Sequence, residues 1–198
     1  MTPTTAPARL AAVAAAQHGL FTCDQAHRAG FSPFQVRRRL RTGQWRRLLG
    51  PVLAPAGVRP GPRLRDAAGL LALGGAVLAG PSAARRHGIT VPDRSTCLLV
   101  PRADRRTLRG VRLLREDLPP AEVTRIGGVP LTGRARTVFD CLRLLPDGAA
   151  RALLDEAFGA GWLTPDRLAG YLHRFTGRHG AARLARLARA AGPHPPDR

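Results

Sequence analysis

Three features of this 198-residue sequence predict an α+β protein. Two capped helical stretches are separated by a glycine turn. A short basic hairpin follows them. Later, β-type runs give way to helical periodicity. Together they describe an N-terminal winged helix-turn-helix over residues 1–57. A mixed α/β C-terminal domain ending in helices follows over 58–198. The segment PAGVRPGP at 55–62 is the clearest linker in the chain.

Residues 1–5 read as a loose polar start, and Ala6–His18 as a first helix ending at Gly19. Thr22 is a good N-cap for a short helix over Cys23–Ala29, and Gly30 supplies the turn. Ser32 caps a second helix with Pro33 at its first position, where a missing N–H costs nothing. Val36 and Leu40, four apart, give that helix an inward face. Phe34, Gln35, Arg38 and Arg41 fall on the opposite side, flanked by Arg37 and Arg39. Gly43 ends the helix. QWRRLL at 44–49 then runs through Gly50-Pro51 into Val52-Leu53, a two-stranded wing carrying Arg46 and Arg47.

Beyond the linker, a helix is expected over about 63–73, a strand at Ala76–Ala79 and a helical turn or two at Ser82–His87, closed by Gly88. Cys97–Val100, Val111–Leu114, Val123–Ile126 and Val129–Leu131 read as short strands, with Gly127-Gly128 turning the last two. Thr132 opens the helical half. Val138, Leu142 and Leu145 mark one face. Asp147 is expected to cap a helix through Phe158, and Thr164-Pro165 to start another lined by Leu168, Leu172 and Phe175. A basic amphipathic helix over about 181–191 packs its leucines and solvates its arginines. PHPPDR at 193–198 is a frayed tail.

The formal net charge is +19, and every one of the 32 basic residues is arginine. Alanine, glycine, proline and arginine dominate, as GC-rich coding would give, so the total charge overstates the case for a polyanion partner. Its distribution says more. Residues 1–57 hold eight arginines and one acid, the highest charge density in the chain. The three cysteines, Cys23, Cys97 and Cys141, are far apart and form no C-x-x-C, which points to reduced thiols in a cytoplasm. The Leu10–Ala16 run is too short and too Ala-rich for a signal peptide. The charge-free stretch 67–84 is broken by four glycines and Pro81, so it reads as buried helix and strand rather than a membrane span.

Six arginines and no acid lie between Arg37 and Arg47. A helix fits the major groove, and the arginine fork donates two parallel hydrogen bonds to guanine edges or phosphates. The second helix of a helix-turn-helix sits there. The expected DNA-binding residues are Ser32, Phe34, Gln35, Arg37, Arg38, Arg39, Arg41, Gln44, Arg46 and Arg47. The expected partner is double-stranded operator DNA, with no membrane role.

No enzymatic site, cofactor or metal is expected. The absence of lysine excludes a P-loop and a lysine-bearing metal nuclease. The histidines show no H-x-x-x-H or H-E-x-x-H spacing, and Cys23 with His27 lacks two further ligands. Ser82 has no nucleophile-elbow setting. Asp155 and Glu156 are adjacent and point to different helix faces. Asp140 is placed to bond Arg136, four residues earlier, as structural support.

The order of S-x-x-V-R-R-R-L-R-x-G-x-W-R-R, then C-L-L-V-P-R, G-V-R-L-L-R and E-V-T-R-I-G-G-V-P-L-T-G-R-A-R-T-V-F-D resembles the AbiEi-type antitoxins. These are transcriptional regulators of type IV toxin–antitoxin systems. The similarity is to the actinobacterial form, without the C-terminal Vsr-like endonuclease domain, and covers roughly 8–190. Its most specific stretches are Ser32–Arg47 and Val123–Asp140. The resemblance implies a winged helix that represses its own operon. It also implies a C-terminal domain that opposes a nucleotidyltransferase-like toxin without holding it in a stable complex. It passes the DNA-reading role to 32–42 and to Trp45-Arg46-Arg47. Two positions depart from the family pattern. A frequent Ser-His is replaced by Ala79-Gly80, and the usual Gly-Val-Tyr at the end of the wing by Pro51-Val52-Leu53. The alternative reading is an orphan DNA-binding regulator, or a nuclease-family remnant without a catalytic domain.

Overall fold

The computed structural model describes residues 5–190. The expected tail at 193–198, most of the polar start and Ala191 therefore lie outside the described residues. The chain divides into two compact units, Met1–Ala76 with Leu98–Glu116, and Val77–Cys97 with Asp117–Arg198.

In the first unit, helix α1 (Ala6–Ala15) is capped by Thr5, whose Oγ accepts from the Ala8 amide at 3.4 Å. It stops short of the expected His18. His18 has φ +56° and Gly19 φ +82°, and the Gly19 amide turns back to the Ala14 carbonyl at 2.8 Å. Strand β1 (Phe21–Thr22) leads into α2 (Cys23–Arg28) and α3 (Pro33–Arg41). Strands β2 (Trp45–Leu49) and β3 (Val52–Pro55) form the wing. The sheet order is β1-β3-β2, all antiparallel, with Phe21 opposite Leu53 and Arg47 also opposite Leu53 across the other edge. Strand β1 was not expected, because two residues carry no readable alternation. It pins α2 to the wing.

The small core of this unit has two sides. Leu10, Phe21, Ala26, Phe31, Val36, Trp45 and Leu53 pack between the helices and one sheet face. Leu20, Val52, Ala54 and Ala68 form the other side with Leu48, Leu64 and Leu71. Ala68, Leu64 and Leu71 belong to α4 (Pro62–Ala72). The linker 55–62 thus joins β3 to a helix that folds back on the wing sheet. Leu98–Val100 of strand β5 (Thr96–Val100) also belong to this unit, beside β6 (Val111–Arg115), with the Glu116 amide donating to the Val100 carbonyl at 3.1 Å.

In the second unit, β4 (Val77–Leu78) pairs parallel with β8 (Val129–Thr132), and β8 pairs antiparallel with β7 (Val123–Ile126). Helix α5 (Gly80–His87) ends at Gly88, left-handed at φ +76°. Gly80 also has positive φ, +45°. A Cβ there would press on Leu144 at 3.1 Å, which gives a packing reason for glycine where the family pattern has a larger residue.

The closing helices are α6 (Arg134–Leu144), α7 (Asp147–Gly159), α8 (Pro165–Arg174) and α9 (Ala181–Ala190). Asp147 does not cap α7. It is the first helical residue, behind Pro146, and its carboxylate takes Arg183 at 2.6 Å instead. Leu184 of α9 is buried and Arg186 and Arg189 are exposed, the packing expected from its pattern.

Phe139 of α6 is the centre of this core, stacked on Tyr171 at 4.8 Å and tilted against Phe175 at 5.1 Å. Beside the rings sits a buried charge network. Asp140 accepts from Arg136 Nε at 3.1 Å and from Arg143 Nη2 at 2.8 Å. Arg136, 1% exposed, also reaches Glu122, which Arg174 clamps at 2.6 and 2.7 Å. Both buried guanidinium groups lie over Phe175, at 4.7 and 4.8 Å. The Arg136–Asp140 bond expected from the sequence is present, within a larger network.

Among the described residues, no helix is long and apolar enough to cross a membrane.

Candidate nucleic-acid interface

Helix α3 is built to start sharply. The Gln35 amide donates to Ser32 Oγ at 3.2 Å, and the Ser32 amide donates to Gln35 Oε1 at 2.8 Å, a reciprocal capping box. Pro33 holds the first helical position. Such a cap contributes about 0.5–2 kcal/mol, which matters for a helix of little more than two turns. At the other end Thr42 Oγ donates to the Arg38 carbonyl at 3.0 Å, and Gly43 takes φ +71°. Arg38, Arg39 and Arg41 occupy the last turn, where cations interact favourably with the helix dipole by about 0.3–1 kcal/mol each.

Burial sorts the side chains. Val36 is buried and Leu40 half-buried, so they hold the helix down. Phe34, Gln35, Arg37, Arg38 and Arg41 are exposed. Phe34 is 62% exposed, and it is the exposed large hydrophobic residue of the described chain. No acid occurs between Asp24 and Asp66 in the sequence, so this face has no local carboxylate to neutralise it. Ser32 and Gln35 spend their oxygens on the cap. Gln35 keeps its amide nitrogen as a donor.

Arg39 turns away from this face. Its guanidinium lies 4.8 Å over Phe31 and 5.3 Å over Trp45. Trp45 in turn meets Phe21 and Phe31 edge-on at 4.8 and 5.1 Å. At 9% exposure Trp45 is a core residue that locks α3 to β2, not the DNA-facing contact the resemblance implies. Sequence reasoning missed this aromatic trio. Its signal was present in the three rings at 21, 31 and 45, but their meeting depends on tertiary packing.

The wing arginines also part company. Successive strand residues point to opposite faces. Arg47 is exposed, and its Nη1 donates to the Gly50 carbonyl at 2.7 Å, which steadies the hairpin turn. Arg46 is half-buried, with Nε and Nη2 shielded from solvent and without a hydrogen-bond partner among the described residues. Gln44 is exposed at the entry to the wing, its carbonyl accepting from the Ala56 amide at 3.0 Å. Five of the expected residues, Phe34, Gln35, Arg37, Arg38 and Arg41, thus share the outer side of α3. Ser32 sits at its cap, Gln44 and Arg47 at the wing, and Arg39 and Arg46 are drawn inward.

Residues 8–49 match the AbiEi antitoxin family of transcriptional regulators. The matched segment runs from α1 to the end of β2, and so contains the capped helix pair, the aromatic lock and the first wing strand. It is the family that the sequence motifs resemble. No curated relative matches the chain. Within the matched segment the exposed arginines are Arg37, Arg38 and Arg41 on α3, Arg47 on the wing, Arg9 on α1 and Arg28 on α2. Among the described residues no group of three histidine, cysteine or acidic side chains is placed to hold a metal ion, and Cys23, Cys97 and Cys141 form no disulfide.

Proposed function

We propose that this protein is a cytoplasmic, non-enzymatic repressor that binds operator DNA through residues 1–57. In this reading α3 enters the major groove and α4 supports the wing sheet from behind. The observation that carries the reading is the exposed outer side of α3, with Arg37, Arg38 and Arg41 outward and no acid nearby. The family match over 8–49 supports it. Residues 58–198 are assigned the antitoxin role of a type IV system, opposing a nucleotidyltransferase-like toxin without a stable complex. That assignment rests on the resemblance of the later motifs.

The test uses the full chain with its own promoter fused to a reporter, beside growth rescue against a neighbouring nucleotidyltransferase. Arg38→Ala with Arg41→Ala should abolish repression and leave rescue intact. Full repression by the double variant would defeat the DNA-reading role of α3. A second reading, an orphan regulator, is favoured by one observation, that the family match stops at residue 49. Repression without rescue by the unaltered chain would select it. Incubating the protein with supercoiled plasmid and Mg²⁺ should give no nicking, and reproducible nicking lost on replacing one acid would overturn the non-enzymatic assignment.

A further inference from the structure

The second unit contains a polar pocket that the DNA-binding reading does not use. It is about 290 Å³ in volume and lies at the start of α6. Its walls include Arg134, Arg167, Trp162 and Tyr171, with Glu122 and Arg136 at the back.

Helix α6 begins there without a side-chain cap, because its N-cap is Gly133. The amides of Arg134 and Ala135 have no partner among the described residues, so two donors and the positive end of an eleven-residue helix are open. Tyr171 is the second, independent pointer. It is only 6% exposed, yet its hydroxyl has no hydrogen-bond partner among the described residues, while its ring is fixed on Phe139. Burial, and next the Glu122 carboxylate, push its phenol above the ordinary value, so it remains a neutral donor. On a side chain this buried, a hydroxyl that lines the cavity and has no protein partner is a donor open to an acceptor inside it.

The charges set the sign of that acceptor. Glu122 is the carboxylate in the wall, and Arg136 and Arg174 already bind it. Arg134 and Arg167 are exposed and hold no carboxylate. The pocket therefore offers two uncompensated guanidinium forks, two helix-end amides and a phenol, a donor set suited to a phosphate. The half-buried indole of Trp162, with the Arg134 guanidinium 5.8 Å from its ring, adds a flat wall against which a planar ring can stack.

We propose that this pocket binds a nucleoside monophosphate. The phosphate is held by Arg167, the Tyr171 hydroxyl and the first amides of α6, and the base lies against Trp162 and Arg134. The role this gives the C-terminal half is that of a ligand-responsive site, independent of operator binding.

Calorimetric titration of the full chain with AMP, GMP, CMP and UMP tests it, with inorganic phosphate and the four nucleosides as partial ligands. At least one nucleotide should bind with a Kd below about 1 mM. Phosphate alone and the nucleoside alone should each bind at least about tenfold more weakly, since each makes only part of the contacts. Arg167→Gln and Tyr171→Phe should each weaken the nucleotide by about tenfold or more. Both keep the packing, because Arg167 is exposed and phenylalanine preserves the ring stack. Arg105→Gln, an exposed arginine outside the pocket, should bind as the unaltered chain does. Binding should change tryptophan emission, and Trp162→Phe should abolish that change. Absence of binding by all four nucleotides overturns the proposal. So does equal binding of phosphate alone, equal weakening by Arg105→Gln, or full affinity in both pocket variants.

Discussion

In α3, Arg37, Arg38 and Arg41 are exposed and the sequence has no acid between Asp24 and Asp66. In α6, Arg136 and Arg143 are buried and share Asp140 between them, with Glu122 satisfying a further donor of Arg136. The two helices are of similar length, nine and eleven residues, and carry four and three arginines. What separates them is the supply of local carboxylates and aromatic faces. In α6, where Asp140 stands at i+4 from Arg136 and i−3 from Arg143, both forks are turned inward and become structure. In α3, where no acid does, the forks of Arg37, Arg38 and Arg41 stay in water and are open to an external anion. Arg39 lies between the two cases. It has no acid, yet two ring faces suffice to draw it in. A net charge of +19 therefore measures the DNA-binding capacity of this protein poorly, and the unpaired fraction on one helix face measures it better.

The comparison breaks hardest at Asp140. Asp140→Ala leaves two buried guanidinium groups without their shared acceptor. The expected loss is about 3–5 kcal/mol, enough to unfold the second unit in chemical denaturation. A loss under 1 kcal/mol would mean that water or Glu122 takes over, and that the α6 arginines are not structural.

On the α3 side the same kind of deletion should leave folding alone and act on DNA. Arg38→Ala or Arg41→Ala should weaken operator binding by about 1–3 kcal/mol if each reads a base edge. The shift in stability should stay within about 0.5 kcal/mol, as for other surface changes. Gel shifts on operator and on random DNA decide the nature of the contact, since equal loss on both assigns the residue to phosphate.

The two wing arginines sharpen the comparison at neighbouring positions. Arg47→Ala should make the slope of log K against log salt shallower by about 0.9, the loss of one phosphate contact. Arg46→Ala should change that slope less, because two of its three guanidinium nitrogens are shielded. Salt series on the two variants give the answer, and equal slopes would show that the wing rearranges on DNA.

The smallest effect concerns Glu122. Its burial pushes the carboxyl up, but the hydrogen bonds and charges of Arg174 and Arg136 outweigh this and hold it below its ordinary value of 4.5. Its contribution to stability is full above that value and is lost as pH falls through the depressed folded value. Glu122→Gln should therefore be less stable than the unaltered chain at pH 7, with the gap closing as denaturation is repeated toward pH 3. A gap that stays constant would locate the effect in packing rather than charge.

Much of this architecture was legible in the residue order. The Thr22 and Ser32 caps and Thr164-Pro165 are local devices whose hydrogen bonds span three residues, so they read the same in a sequence and in a fold, while the reciprocal bonds from Gln25 and Gln35 were seen only in the structure. The strands at 96–100, 111–115, 123–126 and 129–132 were visible as short β-branched or leucine-rich runs between turns. The family match at 8–49 spans the Thr22 and Ser32 caps.

Tertiary structure decided the rest, and for one physical reason: each case needs partners far apart in the chain. Strand β1 exists because Phe21 and Thr22 meet Leu53 and Val52. The inward turn of Arg39 requires Phe31 and Trp45 to converge, and the shielding of Arg46 follows from strand alternation in a sheet that α4 covers. Glu122 is joined to Arg174 across 52 residues, and the pocket beside it is assembled from the starts of α6 and α8 and the turn that carries Trp162. The sequence determined the capped starts of α2, α3 and α8 and which segment carries uncompensated charge. Only the packing decided which arginines that charge resides on.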